Sequence, residues 1–203
     1  MALSAVSQLH HVPDDLIRGT SGIDMNFAPR PPDERQRLEA LFDLDILDTP
    51  GEEQFDSLVE IATHLFDAPM GYVGFIDRDR EWFKSCKEFE SSNAQNALEF
   101  CSHTILSYRP FLVCDTLLDP RFAFSRLAQE QPYIRFYAGA QIRTFDDHCV
   151  GTLCVLDTEP RDPVGFDTSD LELLARIGTQ LIEFRRVGAQ TLYNWRGRKQ
   201  RAS

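Results

Sequence analysis

Two strand-like stretches joined by a short polar turn give the first strong indication of the fold. Residues 134–143 (IRFYAGAQIR) and 149–157 (CVGTLCVLD) flank a polar turn at 145–148. Upstream, an apolar, β-rich stretch at 70–77 (MGYVGFID) is followed by a second at 82–86 (WFKSC) after a charged turn. Strands joined by short turns pair in the antiparallel direction, so the sequence predicts two hairpins.

Apolar residues at helical spacing predict helices before, between and after these hairpins. Thr49 and Glu52 fit the two ends of a capping box at the start of the second helix, with Pro50 in its first position. A short strand is expected at 111–114, and residues 115–131 are polar and irregular. This order contains few parallel crossover units, which favours an α+β fold with layers of helix on a mostly antiparallel sheet. The helices are expected near residues 38–46, 50–65, 97–107 and 169–187.

The last predicted helix carries more apolar surface than one sheet can cover. The apolar residues between 169 and 187 span an arc of roughly 220° on a helical wheel. A helix that covers a sheet needs an apolar stripe only somewhat wider than about 100°. The surplus predicts a second contact, either with the N-terminal helices of the same chain or with another chain. A homodimer and a separate signalling protein are both open as partners.

Composition and charge exclude several classes of protein. A chain of 203 residues suits one domain with tails. Acidic residues outnumber Lys and Arg by 32 to 21, and a net charge of −11 repels the phosphates of nucleic acids and anionic lipids. No apolar run approaches the roughly 20 residues of a membrane span, and the first residues lack a secretory signal. Five cysteines without a C-x-x-C pair favour a reducing compartment. We therefore expect a cytoplasmic protein without nucleic-acid or membrane partners.

The periodic part of the chain lies between two segments of different composition. Residues 1–32 mix Ser, Gly, Pro, Asp and His without periodicity, which predicts a flexible N-terminal tail. Residues 188–203 end in four cations with no acid between them, which predicts a basic C-terminal tail. The domain itself is expected to span residues 33–187.

Several spaced blocks within residues 33–187 resemble the GAF domain family of bacterial signalling proteins. The resemblance implies a six-stranded antiparallel sheet with helices on one face and a loop-roofed ligand pocket on the other. It also implies a sensory module, and the absence of a recognisable output segment suggests a free-standing or excised one. The blocks are EALFDLDILDTPGEEQFDSLVEIATHLFDAPMGYVGFIDRDREWFKS (39–85), FCSHTI (100–105), DTLLDPRF (115–122), IRFYAGAQI (134–142) and VGTLCVLDTEPR (150–161).

The irregular segment and the strand after it supply candidate ligand-binding residues. Asp115 and Arg121 lie in the segment expected to roof the pocket, and Arg135 and Tyr137 alternate onto one face of a strand. Gly139 shares that face and would leave room for a ligand. The two arginines could bind a carboxylate or phosphate, which predicts an anionic or amphipathic small molecule. The alternative is a structural Asp–Arg network that holds the long loop.

Four further residues are candidates for the same pocket. Trp82 and Lys84 offer an aromatic wall and a cation on another strand. Cys101 and His103 lie two positions apart in a predicted helix, about 200° apart, so they do not form a nucleophilic pair. Each has a structural alternative, Cys101 as a small buried apolar residue and His103 as a locally satisfied histidine.

The cofactor of such a domain is unknown from the sequence. A haem would need an axial histidine such as His103, and a bilin would need more of its binding motif than the C-x-H fragment here, so both are disfavoured. A metal site built from Cys101, His103, His148 and Cys149 is also disfavoured, because neighbouring strand residues point to opposite faces.

A non-catalytic sensory module of signal transduction is the leading functional interpretation. It would bind a small molecule and change how its terminal helices pack on a partner or on a second copy. One alternative is a dimerising scaffold that needs no ligand. The other is a thiol-redox enzyme of the methionine sulfoxide reductase type, which the five cysteines suggest but their spacing does not support.

Overall fold

The computed structural model describes residues 28–201, so most of the predicted N-terminal tail lies outside the described residues. The first described residues contact the domain: the backbone N–H of Ala28 donates to Ser102 Oγ at 3.0 Å, and Arg30 pairs with Asp79 at 2.9 Å. Residues 28–32 therefore lie against the start of the domain.

In the part of the chain that the structure describes, a single sheet of five antiparallel strands forms the centre of the domain, in the order β2-β1-β5-β4-β3. Both predicted hairpins are confirmed, and the β4–β5 hairpin is closed by a hydrogen bond from Thr144 N to His148 O of 2.9 Å. The strands are β1 Met70–Ile76, β2 Glu81–Lys87, β3 Phe111–Val113, β4 Phe136–Arg143 and β5 Cys149–Asp157.

The sheet has five strands where the family resemblance implied six. The difference lies in local hydrogen bonding after β3, where polar side chains bind their own backbone. Asp115 accepts from Leu117 N at 3.1 Å, Asp119 from Arg121 N at 3.0 Å, and Ser125 from Ala128 N at 3.2 Å. Such bonds favour turns over an extended strand, so residues 114–133 cross the sheet as turns and one short helix.

Within residues 28–201, five α-helices accompany the sheet, and the largest departure from the predicted bounds is at the end of the last one. The last helix was expected to end near Val187 but continues to Arg201, because residues 188–201 contain no proline and are rich in good helix formers. The capping box is also wrong. Glu52 occupies the cap position, and the hydroxyl of Thr49 instead donates to Ile46 O at 2.6 Å. The helices are α1 Glu34–Asp43, α2 Glu53–Leu65, α3 Ala94–Thr104, α4 Arg126–Gln129 and α5 Ser169–Arg201.

The two faces of the sheet are covered differently, and each has its own apolar core. On the helical face, α1, α2 and α5 pack on residues such as Val73, Phe75 and Leu153. On the opposite face, which we call the roof face, α3, α4 and residues 114–133 pack on Tyr72 and Tyr137. The alternation of residues along each strand divides the strand between the two cores.

Candidate functional site

A buried polar network lies at the centre of the roof face, between α3 and the sheet. The thiol of Cys101 is within 3.1 Å of the Tyr72 hydroxyl, 3.3 Å of Thr152 Oγ1 and 3.4 Å of the Tyr137 hydroxyl. Its sulfur is also 3.9 Å from Cys154 Sγ. All five side chains belong to fully buried residues, so the network is closed to solvent.

Tyr137 fills the space that the sequence assigned to a ligand beside Gly139. Its hydroxyl is 2.7 Å from Thr104 Oγ1 and 3.2 Å from Cys154 Sγ. A Cβ on Gly139 would collide with that hydroxyl and would lie 2.9 Å from Thr104 Oγ1. Gly139 therefore makes room for a side chain of the protein itself.

Stacked aromatic rings close the rest of this face. Phe100 of α3 stacks on Phe122 with ring centroids 4.3 Å apart and lies 5.0 Å from the ring of Tyr137. Tyr72 contacts Phe83 at 4.4 Å and Phe89 at 5.4 Å. The chain's own side chains thus occupy the space where a loop-roofed pocket was expected, and a guest molecule must displace some of them.

Glu81 is the residue of this face that sequence reasoning missed. It is 4% exposed, and neither carboxyl oxygen makes a hydrogen bond of regular geometry, although the Cys101 thiol lies close enough to interact with it. The side chain lies over Gly74, where a Cβ would come within 3.0 Å of Glu81 Cδ. A glycine in the middle of an apolar strand, followed by an acid at the start of the next strand, was the available signal.

Burial keeps the ionisable groups of this interior in their neutral forms. Desolvation raises the pKa of Glu81 well above its usual value, and the neighbouring Cys101 raises it further. Desolvation also raises the pKa of Tyr72, Cys101 and Tyr137 far above their usual values. Cys149 follows the same rule, with a pKa raised to about 12. The interior is therefore an uncharged set of hydroxyl, thiol and carboxyl groups.

The two candidate arginines bind acidic residues of the segment 114–133, which we call the roof segment. Arg135 donates two hydrogen bonds to Asp115, at 2.9 and 2.7 Å, and Arg121 binds Asp119 through two nitrogens, at 2.9 and 2.5 Å. The arginine side chains lower the pKa of both aspartates. These pairs match the alternative of a structural Asp–Arg network that holds residues 114–133.

Trp82 and Lys84 lie on the helical face, apart from the other candidates. The ammonium of Lys84 binds Pro50 O and Glu52 Oε1, both at 2.6 Å, and Trp82 packs near Phe75. The β1–β2 pairing is irregular between Val73 and Gly74, so Lys84 has no partner on β1, and Lys84 shares the helical face with Trp82, two residues before it. Both residues connect β2 to the helices.

His103 lies near the edge of the roof face, between aromatic rings. Its ring stacks on Phe111 with centroids 5.6 Å apart and meets Phe122 edge-on at 5.2 Å. Cys101, by contrast, is buried in the polar network, as the two-residue spacing predicts. Within residues 28–201, no group of three or more His, Cys, Asp or Glu residues is arranged to hold a metal ion.

The sequence comparison agrees with this architecture. Residues 50–182 match the family model of the GAF domain. The chain belongs to the GAF domain family. A cyclic di-GMP phosphodiesterase of Pseudomonas aeruginosa is 35% identical over 154 residues, which are 75% of this chain and 26% of that protein. The chain thus spans about a quarter of this relative. The match supports a sensory or regulatory role for this GAF domain.

Solved structures of GAF domains share the fold at low sequence identity. The Thermosynechococcus elongatus PixJ GAF domain, in its blue-light absorbing form, aligns with a TM-score of 0.55 at 18% identity, over 82% of this chain and 96% of that one. The GAF domain of an Acinetobacter phosphoenolpyruvate-protein phosphotransferase gives 0.54 at 14%, over 77% and 96%. A free methionine-R-sulfoxide reductase of Thermoplasma acidophilum gives 0.52 at 10%, over 64% and 90%. At these identities the likeness concerns the fold alone.

None of the described helices is long and apolar enough to cross a lipid bilayer.

Proposed function

We propose that this GAF domain is a non-catalytic sensory module that receives a small molecule at the roof face and signals through its helical face. The observation that carries the proposal is the carboxyl group of Glu81, which is buried beside the Cys101 thiol and makes no hydrogen bond of regular geometry. An unpaired buried polar group costs free energy, and a ligand that supplies the missing partner regains it.

The chemistry of the interior favours a ligand rich in hydrogen-bond donors. The arginines once expected to bind an anion are paired with Asp115 and Asp119. The unpaired group near the network is a carboxyl, and the hydroxyls of Tyr72 and Thr152 beside Cys101 offer further acceptors. A small amine, amidine or polyol fits this set better than a carboxylate or phosphate. This revises the anionic ligand expected from the sequence.

Ligand entry would be coupled to the helices through the sheet. A guest beside Glu81 must move roof-face side chains such as Phe89, which packs on Tyr72. Tyr72 is on β1, and the next residue on that strand, Val73, belongs to the core of the helical face. Since α2 and α5 both pack on the sheet, a displacement of β1 or β5 would change how these two helices pack.

Thermal denaturation in the presence of matched small molecules tests the proposal. Benzylamine and benzoate share a ring and differ in the charged group, so we expect benzylamine to raise the melting temperature and benzoate to leave it unchanged. A ligand at 100 times its dissociation constant adds about 2.7 kcal/mol to the free energy of unfolding. A panel of amines, amidines and polyols without any stabilising member would overturn the proposal.

Two variants decide whether Glu81 is the anchor. Glu81→Gln removes the carboxyl group while keeping the shape, and we expect it to abolish stabilisation by the amine. Glu88→Gln changes an exposed acid just after the other end of β2 and serves as the matched control. Equal stabilisation of both variants would contradict a role for Glu81.

The structure gives less support to an enzymatic function. A thiol nucleophile needs a lowered pKa, whereas burial raises the pKa of Cys86, Cys101, Cys114 and Cys149. The phosphodiesterase activity in the relative's name is not carried over, because the aligned region covers 26% of that protein.

A further inference from the structure

The sheet has a notch at its β3 edge, because β3 is much shorter than its neighbour β4. β3 pairs only with residues 137–139, and the residue before it is Pro110, which has no N–H to extend the ladder. In the described part of the chain, residues 140–143 of β4 therefore pair with β5 alone. A cavity of about 200 Å³ lies here, between the bend before β3, the end of β4 and the first turns of α5. We call this cavity the β3-edge notch.

Three arginines from three different elements line the β3-edge notch. Arg109 lies on the bend before β3, Arg143 at the end of β4, and Arg176 two turns into α5. Among the described residues that line the cavity, Glu172 is the one acid. The chain as a whole has a net charge of −11, so the excess of cations around this small space is opposite in sign to the rest of the molecule.

Many N–H groups of these arginines are available to a ligand. The guanidinium groups of Arg109 and Arg176 make no hydrogen bond or ion pair with a described side chain. Glu172 precedes Arg176 by one helical turn, the usual spacing for such a pair, yet the two do not pair. Arg143 donates to Asp147 Oδ1 at 2.6 Å, to Asp147 O at 2.7 Å and to Gln141. A guanidinium has five N–H groups, so two of those on Arg143 remain.

The walls of the β3-edge notch are held in place by contacts between its elements. Thr179 Oγ1 accepts from Arg143 N at 3.2 Å, which ties α5 to β4. The side chain of Gln141 donates to Thr104 O at 3.0 Å, which ties β4 to the end of α3. The guanidinium of Arg143 also lies 5.5 Å from the ring centroid of Tyr108. The donors are therefore carried by elements that are already fixed relative to one another, which favours binding of a small ligand.

We propose that the β3-edge notch binds phosphate, either inorganic phosphate or the phosphate group of a small metabolite. Guanidinium groups match phosphate oxygens through parallel pairs of N–H···O bonds, and the charge of phosphate favours a site with several cations. A volume of about 200 Å³ holds roughly six water molecules, which suits a phosphate with a short substituent. None of the lining residues belongs to the buried network of the roof face, so this proposal goes beyond the proposed function and does not depend on it.

Calorimetric titration of the full chain with inorganic phosphate tests the proposal. We expect a dissociation constant of about 1 mM or tighter, and a rise of at least about tenfold for Arg109→Gln and for Arg176→Gln. Arg78→Gln is the matched control, because Arg78 is an exposed arginine on the β1–β2 turn, and its affinity should stay within about twofold. Circular dichroism establishes that each variant is folded. The absence of binding at about 10 mM phosphate, or an equal loss in Arg78→Gln, overturns the proposal.

A variant of the acid in the cavity should change the affinity in the opposite direction. Glu172→Gln removes the carboxylate that repels an anion there, so phosphate should bind at least about twofold more tightly. Weaker binding by Glu172→Gln would place the anion elsewhere and overturn the proposal. Glu81→Gln should bind phosphate as the natural chain does, which separates this test from that of the roof face.

Glycerol 3-phosphate distinguishes the two sources of the phosphate group. If it binds with the same dependence on Arg109 and Arg176, the β3-edge notch accepts the phosphate of a metabolite. If inorganic phosphate alone binds in this way, the ligand is the free anion. Both results support a phosphate site, and binding of either compound that is independent of both arginines contradicts it.

Discussion

Glu81 places a carboxylic acid in the apolar interior, and Gly74 provides the space for it. Its side chain lies over that glycine, next to the thiol of Cys101, and neither of its oxygens makes a hydrogen bond of regular geometry. A carboxyl in such a place stays protonated, because ionisation there would leave an uncompensated charge. Its environment therefore makes Glu81 sensitive both to pH and to any donor that reaches it.

The first prediction concerns the pH dependence of stability. The pKa of Glu81 in the folded state lies above its ordinary value of 4.5, so the folded state holds this proton more tightly than the unfolded state. Glu81 therefore lowers the free energy of unfolding as pH rises from about 4.5 towards its folded pKa, whereas Glu81→Gln carries no such loss. In urea denaturation, the free energy of unfolding of Glu81→Gln relative to that of the natural chain should rise by more than about 1.4 kcal/mol between pH 4 and pH 8. A difference that is independent of pH would contradict the burial of this acid.

Lys84 gives the second prediction, as a candidate that the structure places on the helical face. Its ammonium is buried between Pro50 O, Thr49 Oγ1 and Glu52. Lys84→Met removes these bonds and should lower the free energy of unfolding by about 2–3 kcal/mol, measured by urea denaturation. Lys87→Met, at an exposed position on the same strand, should change it by less than about 1 kcal/mol. If Lys84→Met instead abolished stabilisation by small molecules at unchanged stability, Lys84 would be a ligand residue.

At the scale of elements, α5 is the connection between the sheet and the outside of the molecule. Its inner face packs on β4 and α2 at Gly178, and its outer face carries exposed apolar residues such as Ile177 and Phe184. Two further hydrogen bonds hold the helix in place. Arg185 donates to Leu44 O at 2.7 Å, and Glu183 accepts from Phe145 N at 2.8 Å. The helix is thus positioned by both the helical layer and the β4–β5 turn.

The third prediction tests the close packing of α5 on β4 and α2 at Gly178. Gly178→Val inserts an isopropyl group where Ile142 and Leu58 leave no space, and should cost about 1–3 kcal/mol of stability. Gly188→Ala changes a helical glycine of α5 with nothing within 4 Å of its Cβ position, and should stabilise the helix by about 0.5–1 kcal/mol. Melting curves of both variants check the pair. An unchanged melting temperature for Gly178→Val would show that α5 does not pack this closely on its neighbours.

The whole molecule consists of two cores separated by one sheet. The cysteines differ in how deeply they are buried, and this burial limits their reactivity. Cys101, Cys149 and Cys154 are buried in or beside the roof-face core, Cys114 is half-buried, and Cys86 is exposed. Since burial also raises the pKa of most of these thiols, their reaction with electrophiles requires the protein to open.

The fourth prediction follows from that distribution. In the native protein, a thiol reagent such as dithionitrobenzoate should label Cys86 fast and Cys114 slowly. The three buried thiols should react together, at the rate of global unfolding, and addition of urea should release them at once. Rapid labelling of Cys101 without denaturant would show that the roof face opens on its own, and this outcome would contradict the closed packing.

Much of this protein could be inferred from the sequence because the relevant information is local. Apolar, β-rich runs within 70–77 and 134–157 predict the strands, and the short turns that follow β1 and β4 predict the hairpins. The block order identified the GAF family, and the wide apolar arc of residues 169–187 indicated a second contact. The start of α2 was predicted wrongly and a sixth strand was expected that residues 28–201 do not form, because the side chains of Thr49, Asp115 and Asp119 bond to nearby backbone groups and compete with regular structure.

The site depended on the tertiary structure, because it is made by contacts between distant segments. The sequence could not show that Arg135 meets Asp115, that Tyr137 fills the space beside Gly139, or that Lys84 faces α2. Nor could it show that Glu81 is buried, since burial depends on what α3 and the roof segment lay over it. Local patterns specify which face of a strand a residue occupies, and packing of the whole chain decides what that face meets.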